Sequence, residues 1–360
     1  MTTPLAAKIA RDYGTPAVVI DMERVERNIA RIQKACETAG VANRPHIKTH
    51  KSPMLAKMQI AAGARGITCQ KLGEAEVMAE AGIDDILISY NLLGDEKMAR
   101  LGALQAKANV TVVADNSVVV ADLPKAAAQS GRTLRVAVEC DTGRKRAGVE
   151  TPAEAIALAR EIAASKGLSF AGFVLYPTES GWPEAQKFFD EALAGVRAAG
   201  LEPTIVSTGG SPNMRNVGKL KGATEHRPGT YIYNDRMQVA AGVATWDDCA
   251  LNIYSTVVSR AGPDRGILDA GSKTLTSDTG GGLDGHGLIL EHPEAKIARF
   301  AEEHGFLDLT RSNTGPAVGD VVRIVPNHVC VVVNMVDDVV MVRGDEIVGI
   351  LPVAARGRLR

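Results

Sequence analysis

A chain of 360 residues, 45% hydrophobic and 23% charged, has the composition of a globular protein and exceeds the usual size of one domain. Its 41 basic and 42 acidic residues leave a formal net charge of -1 without a long like-charge run, so neither nucleic acid nor an anionic membrane surface is expected as a partner. Five scattered cysteines without paired spacing, no basic-then-apolar leader and no apolar run near about 20 residues together predict a reduced, cytoplasmic protein.

In chain order, residues 1–14 are expected to form a short helix, and 15–21 (TPAVVID) a strand. Residues 22–39 carry Val25, Ile29, Ile32 and Ala35 on one helical stripe, stopped by Gly40. A strand is expected over 44–48. Helices over 52–62, 72–81, 97–106, 117–130, 152–166 and 182–199 then alternate with strands over 66–70, 85–89, 110–114, 134–139, 170–175 and 204–207. Residues 230–233 are expected as the last strand of this series. Roughly eight such units of α/β type predict a (β/α)8 TIM barrel. Beyond residue 252 strands dominate, over 253–260, 266–269, 287–290, 320–325, 329–335, 339–343 and 346–351, as in a second, mostly antiparallel β domain. Asp337-Asp338 reads there as a tight hairpin turn. The expected division is 15–245 for the barrel and 246–360 for the β domain, with 1–14 a candidate member of the latter.

The most telling stretch is Arg44-Pro45-His46-Ile47-Lys48-Thr49-His50-Lys51. On a strand, His46, Lys48 and His50 share one face. Active sites of such barrels lie at the carboxyl ends of strands. A lysine among imidazoles there is a carbonyl-capturing nucleophile, because nearby positive charge and desolvation lower its pKa. Lys48 is therefore read as the residue that binds pyridoxal 5'-phosphate (PLP) as a Schiff base; a barrel lysine paired with a carboxylate is the competing reading.

Other candidates each have a bland alternative. Ser207-Thr208-Gly209-Gly210-Ser211 follows a late strand, where barrels cradle phosphate on backbone N–H groups, and Pro228-Gly229-Thr230 could complete that cradle. An ordinary turn uses the same residues. The loop Asp141-Thr142-Gly143-Arg144-Lys145-Arg146-Ala147-Gly148 suits an anion or a phenolic oxygen, or plain solvation. Tyr90 and Tyr176 end strands, as site or packing residues. His328-Val329-Cys330 sets imidazole and thiol on one strand face, with Asp320 and Asn327 as nearby supports. Two such ligands fit an open transition-metal site completed by water or substrate; a buried His beside an apolar Cys is the alternative. His226, His286, His292 and His304 have no convincing partners in sequence, and Trp182 and Trp246 read as helix and domain-junction packing.

Taken together, these motifs resemble a family. A barrel with a Schiff-base lysine followed by a β domain resembles the fold-type III PLP enzymes, the class of alanine racemase. The Arg44–Lys51 stretch, the 141–148 loop, residues 207–212 and 228–235, Asp264-Arg265-Gly266 with Asp269-Ala270-Gly271, Pro326-Asn327-His328-Val329-Cys330 and Ala354-Ala355-Arg356-Gly357 are similar, more closely, to the D-threonine aldolase and D-serine dehydratase-like group. The resemblance runs along nearly the whole chain. It implies that Lys48 holds PLP, that Arg146 faces the phenolic oxygen, and that Gln70 and Tyr176 line the cofactor. It implies further that Thr208, Gly209, Gly210, Gly229 and Thr230 hold the phosphate, and that Tyr231 belongs to the cofactor-binding set. His328 and Cys330 would hold a divalent metal (Mn, Mg or Zn), with His328 acting in catalysis through it. The implied substrate is a small D-β-hydroxy-α-amino acid, and the implied assembly a homodimer. The implied outcome is retro-aldol cleavage to glycine and an aldehyde, or dehydration of D-serine or D-threo-3-hydroxyaspartate to a 2-oxo acid and ammonia. Cys330 leans toward dehydration and the compact loops toward the aldolase, which is preferred. A non-catalytic PLP-binding protein of this fold would lack the β domain and the His-x-Cys pair.

Overall fold

A computed structural model describes residues 2–312 and 314–360. The chain forms two compact units. One contains the chain up to Ile29, Thr49–Lys51 and Thr230–Arg356; the other contains Ala30–Lys48, Ser52–Gly229 and Gly357–Arg360. The chain thus passes between units several times, in place of one crossing near residue 245.

The second of these units is built on eight parallel strands. Their order is Ala42–Asn43, Glu225–His226, Ile205–Thr208, Leu168–Leu175, Leu134–Cys140, Asn109–Ala114, Asp85–Ile88 and Ile67–Cys69. The two ends meet: His46 bridges Thr68 in parallel, and the Thr68 amide donates to Pro45 O at 2.8 Å, so the sheet closes as the barrel expected. Helices start where the sequence supplies caps. Ser52 accepts from the Leu55 amide ahead of Pro53–Ala61, and Thr151 and Glu154 form a capping box ahead of Pro152–Ala164, each with proline in the first turn.

Strand alternation sorts the barrel interior into layers. Leu87, Val113, Ala137, Ala171, Val174 and Ile205 form an apolar middle. Two residues earlier on the same faces come Asp85 and Arg135, next to Arg44 and Glu225, a charged plug at the amino ends of the strands. Two residues later come Ser89, Glu139, Tyr176 and Ser207, with Arg227 two beyond Glu225 and Gln70 two beyond Thr68. The polar layer therefore lies at the carboxyl ends, where barrel chemistry is found.

The other unit holds a nine-stranded sheet. Its order is Arg265–Leu268, Gly305–Asp308, Lys296–Phe300, Leu288–Ile289, Val321–Val325, Leu251–Arg260, Ala17–Asp21, Asp338–Arg343 and Glu346–Pro352. A further pairing of Arg265–Leu268 with Leu251–Arg260 closes that end into a small barrel. Among the described residues of this sheet, Ala17–Asp21 pairs in parallel with Asp338–Arg343 and the other pairings are antiparallel.

Several expected elements change here. The strand at 15–21 belongs to this antiparallel sheet and not to the parallel barrel, because Ala17–Asp21 is central, paired on both sides and buried on both faces. Residues 230–233 form a 3-10 turn, and Glu225–His226 takes the barrel position. Lys48 sits in a 3-10 turn, Ile47–Thr49, so His46, Lys48 and His50 do not share a strand face. The valine-rich 329–335 segment is the helix Val329–Met335: Val329, Val332 and Val333 make a buried helical stripe while Val331 and Met335 are exposed. Asp338 accordingly begins a strand after a helix and turns no hairpin. The helix at 117–130 breaks at Pro124, and the strands Lys296–Phe300 and Gly305–Asp308 had no clear alternation to announce them.

Candidate active site

At the mouth of the parallel barrel, His46 is buried and its ring meets Gln70 Oε1 at 3.1 Å through Nε2. The Lys48 amide points at His46 Nδ1 (3.4 Å), so the network assigns the ring proton to Nε2. Gln70 is itself fixed, its Nε2 donating to Ser89 O and its amide to Glu74 Oε2. Burial lowers the His46 pKa well below its ordinary value, and Lys48, Arg227 and Arg146 lower it further against the opposing bond to Gln70. A neutral imidazole thus precedes Lys48, whose side chain is half-buried.

Tyr176 lies under two guanidinium groups, with Arg144 Cζ 4.2 Å and Arg146 Cζ 5.3 Å from its ring centre. Asp141 holds that loop by accepting the Gly143 and Arg144 amides at 2.8 Å, and Asp115 accepts the Gly148 amide. Strand Ile205–Thr208 runs into Gly209 and Gly210, and both must be glycine. A Cβ on Gly209 would fall 1.9 Å from His226 Cε1, and on Gly210 2.9 Å from the Tyr176 ring. Gly209 also has φ +72°. The Gly229 amide donates to Ser211 Oγ at 3.1 Å, tying the two loops together. Thr208 directs its hydroxyl to Glu225 O (3.4 Å).

The structure adds residues that the sequence did not single out. Arg227 is buried in the polar layer; Nη2 donates to Leu175 O, and Nη1 has no partner among the described residues. Burial pulls its pKa to about 10 against the pull of Glu225 and Glu139. Ser207, from the loop already read as a phosphate cradle, also has its Oγ buried without a partner among the described residues. Glu139 is raised, by burial first, against Arg227 and Arg146. Glu225 is committed to Arg44, and Arg227 and Arg146 act on Glu139, with Asp115 and Asp141 as the other carboxylates near it. Unpaired buried donors, the guanidinium groups of Arg146 and Arg227 and a two-glycine cradle fit a phosphate-bearing cofactor. Lys48 could supply the amine of such a site, Gln70, Tyr176 and Arg146 its walls, and Gly209, Gly210 and Ser207 its phosphate end.

His226 supports that cradle from beneath. Burial and the neighbouring Arg227 bring its pKa to about 3, against a contact from the Gly210 backbone. A histidine depressed in the folded state leaves the unfolded chain to bind the extra proton. Its contribution is complete above about pH 6.5 and is lost as pH falls toward the folded value. Between pH 6.5 and 4.5 this one group removes about 2–3 kcal/mol. Urea midpoints of the native protein should therefore fall more steeply with acid than those of His226→Gln, and parallel slopes would refute the assignment.

In the other unit, His328 caps the helix Val329–Met335 from an extended backbone, which turns its imidazole toward Cys330. Asp235 is fully buried; its Oδ2 accepts from His328 Nδ1 at 2.9 Å and from the Val329 amide at 3.1 Å. Burial draws the His328 pKa down, but Cys330 and Asp235 outweigh it and hold it at about 11. Cys330 Sγ meets Thr49 Oγ1 at 3.2 Å and Thr230 Oγ1 at 3.8 Å. Among the described residues no group of three or more His, Cys, Asp or Glu side chains forms a metal cluster. An imidazole and a thiol remain as donors, which fits a cation whose other positions are open. Tyr231 is buried on the turn Thr230–Ile232.

The remaining candidates lie elsewhere. Asp320 accepts from the Ala317 amide and Thr2, and Asn327 holds the glycine-rich 278–287 loop through Asp278 O and Gly285 O. Tyr90 is exposed under Lys71. His286 stacks on Phe300 and His292 meets Thr314 O. Trp182 is buried at a helix start, whereas Trp246 is 41% exposed.

Comparison with known proteins agrees along the chain. Residues 20–237 match the model of the alanine racemase N-terminal domain, and 250–342 match that of a serine dehydratase domain. A D-threonine aldolase of an Arthrobacter species is 33% identical over 95% of this chain and 93% of its own. A D-threo-3-hydroxyaspartate dehydratase of Delftia sp. (strain HT23) is 32% identical over 88% of this chain and 90% of its own. The crystal structure of D-threonine aldolase from Filomicrobium marinum superposes with a TM-score of 0.88 at 31% identity, covering 96% of both chains.

Proposed function

We propose, for a chain that belongs to the fold-type III family of D-threonine aldolase and D-serine dehydratase-like lyases, cleavage of D-β-hydroxy-α-amino acids to glycine and an aldehyde. The observation that carries this reading is Lys48 behind a neutral His46, at a barrel mouth where the buried Arg227 keeps a donor unpaired among the described residues and so calls for an anionic cofactor. PLP, when bound, supplies an electron sink for the carbanion that bond cleavage leaves at Cα. Lys48 is the amine that would attach the cofactor, and its Nζ would hold the proton exchanged at Cα. His46 stays neutral and fixes the Lys48 backbone through its Nδ1. Arg227 and Ser207 offer their unpaired donors to the cofactor, and Gly209-Gly210 let the backbone approach it closely. His328 and Cys330 are the side chains that would hold a divalent cation (Mn, Mg or Zn), and such a cation lowers the pKa of a bound hydroxyl.

The same groups serve a second outcome. If Lys48 takes the Cα proton, hydroxide departs and a 2-oxo acid and ammonia result; the Delftia relative, a dehydratase, supports keeping this route. Product analysis separates them. With D-threonine or D-serine as substrate, glycine plus acetaldehyde (or formaldehyde) is expected, and oxo acid plus ammonia alone would overturn the preferred outcome. A cytoplasmic location is part of the same proposal; no described helix is long and apolar enough to cross a membrane, and none of the described cysteines is in a disulfide. A homodimer completes the proposal.

A further inference from the structure

We propose that Asp235 is the positioning residue of the His328–Cys330 pair. It keeps the imidazole proton on Nδ1 and so leaves Nε2 bare for a divalent cation. The proposal rests on the metal-binding part of the reading above.

The geometry is specific. Asp235 has no solvent exposure and uses both oxygens. Oδ1 accepts from the Gln238 amide at 3.0 Å and caps the short helix Arg236–Ala240. Oδ2 accepts from His328 Nδ1 at 2.9 Å and from the Val329 amide at 3.1 Å. The two amides lock the carboxylate, and the locked carboxylate fixes the ring. When a cation displaces the Nε2 proton of His328, the ring that still donates from Nδ1 to Asp235 can present only Nε2 as a lone pair. Carboxylate partners of this kind orient metal-binding histidines and raise their basicity. Cys330 has its own supports in the hydroxyls of Thr49 and Thr230. Two protein donors hold a cation weakly unless both are held in place beforehand, so their supports matter more than in a four-ligand site.

The test must separate this role from the helix cap, which serine also provides and alanine does not. The full-length, PLP-loaded protein is titrated with Zn²⁺ and Mn²⁺ against a chromophoric chelator. Asp235→Ser and Asp235→Ala should both bind roughly 10–100-fold more weakly than the native protein. Far-ultraviolet circular dichroism and the visible absorbance of bound PLP should stay native in Asp235→Ser. The hydrogen-bonded Nδ1 proton of His328, visible by NMR in the metal-loaded native protein, should vanish in both variants. Native affinity in Asp235→Ser, whether or not Asp235→Ala is impaired, would reduce Asp235 to a helix cap and overturn the proposal. A native protein that takes up neither cation would overturn the metal reading itself, and this inference with it.

Discussion

Lys48→Ala is expected to abolish turnover and to remove the visible absorbance of the bound cofactor. The effect should be the largest of any single substitution, because attachment and proton exchange are both lost. Proton transfer alone accounts for roughly 10²–10⁴-fold. Among the described residues the barrel offers no substitute: His46 is neutral and engaged with Gln70, and the guanidinium groups of Arg227 and Arg146 are not nucleophilic amines. Lys48→Arg should fail as completely, since a guanidinium cannot serve as a nucleophilic amine. Added methylamine should restore part of the turnover to Lys48→Ala and none to Lys48→Arg, whose side chain still fills the space. Retained absorbance in Lys48→Ala would sink the assignment.

How much of this was legible beforehand depends on how local each signal is. The β/α alternation, Lys48 and the glycine pair are properties of short stretches, and they could be read directly. Elements whose neighbours are distant could not. An apolar AVVID run looks the same as a barrel strand and as a central strand of an antiparallel sheet; only pairing with Leu251–Arg260 and Asp338–Arg343 decides. The VCVVVNM segment has strand propensity throughout, yet its buried residues fall at helical steps and tertiary packing overrides the propensity. Arg227 was hidden because the β-prone residues 230–233 drew the strand five positions too late. Once Glu225–His226 is the strand, Arg227 falls on the inward face. Asp235 and His328 lie 93 positions apart, and no local pattern links them.

Arg44→Met is expected to destabilise the parallel barrel more than any other single change away from the polar layer. Arg44 is 1% exposed, and its Nε lies 2.9 Å from both oxygens of Glu225, which is fully buried. Its Nη1 and Nη2 reach Asp85 at 2.8 and 3.3 Å. Burial alone would depress this guanidinium, but Glu225 and Asp85 more than compensate and raise it. Removing the cation takes from the fully buried Glu225 the group that meets both its oxygens, whereas Asp85 keeps partial access to water and Arg135 at 4.0 Å. Breaking a buried pair in this way costs about 3–5 kcal/mol. At about 2–4 °C per kcal/mol for a unit of this size, the midpoint should fall by about 6–20 °C. Trp182 lies in this unit and Trp246 in the other, so fluorescence in a Trp246→Phe background follows the barrel alone. The pair's net worth is a separate quantity from the damage of breaking it. Arg44→Met combined with Glu225→Leu replaces both charges by apolar volume and should recover most of the loss. A double variant as unstable as Arg44→Met would show that the plug acts through its shape and its contact to Asp85, and not through the charge left on Glu225.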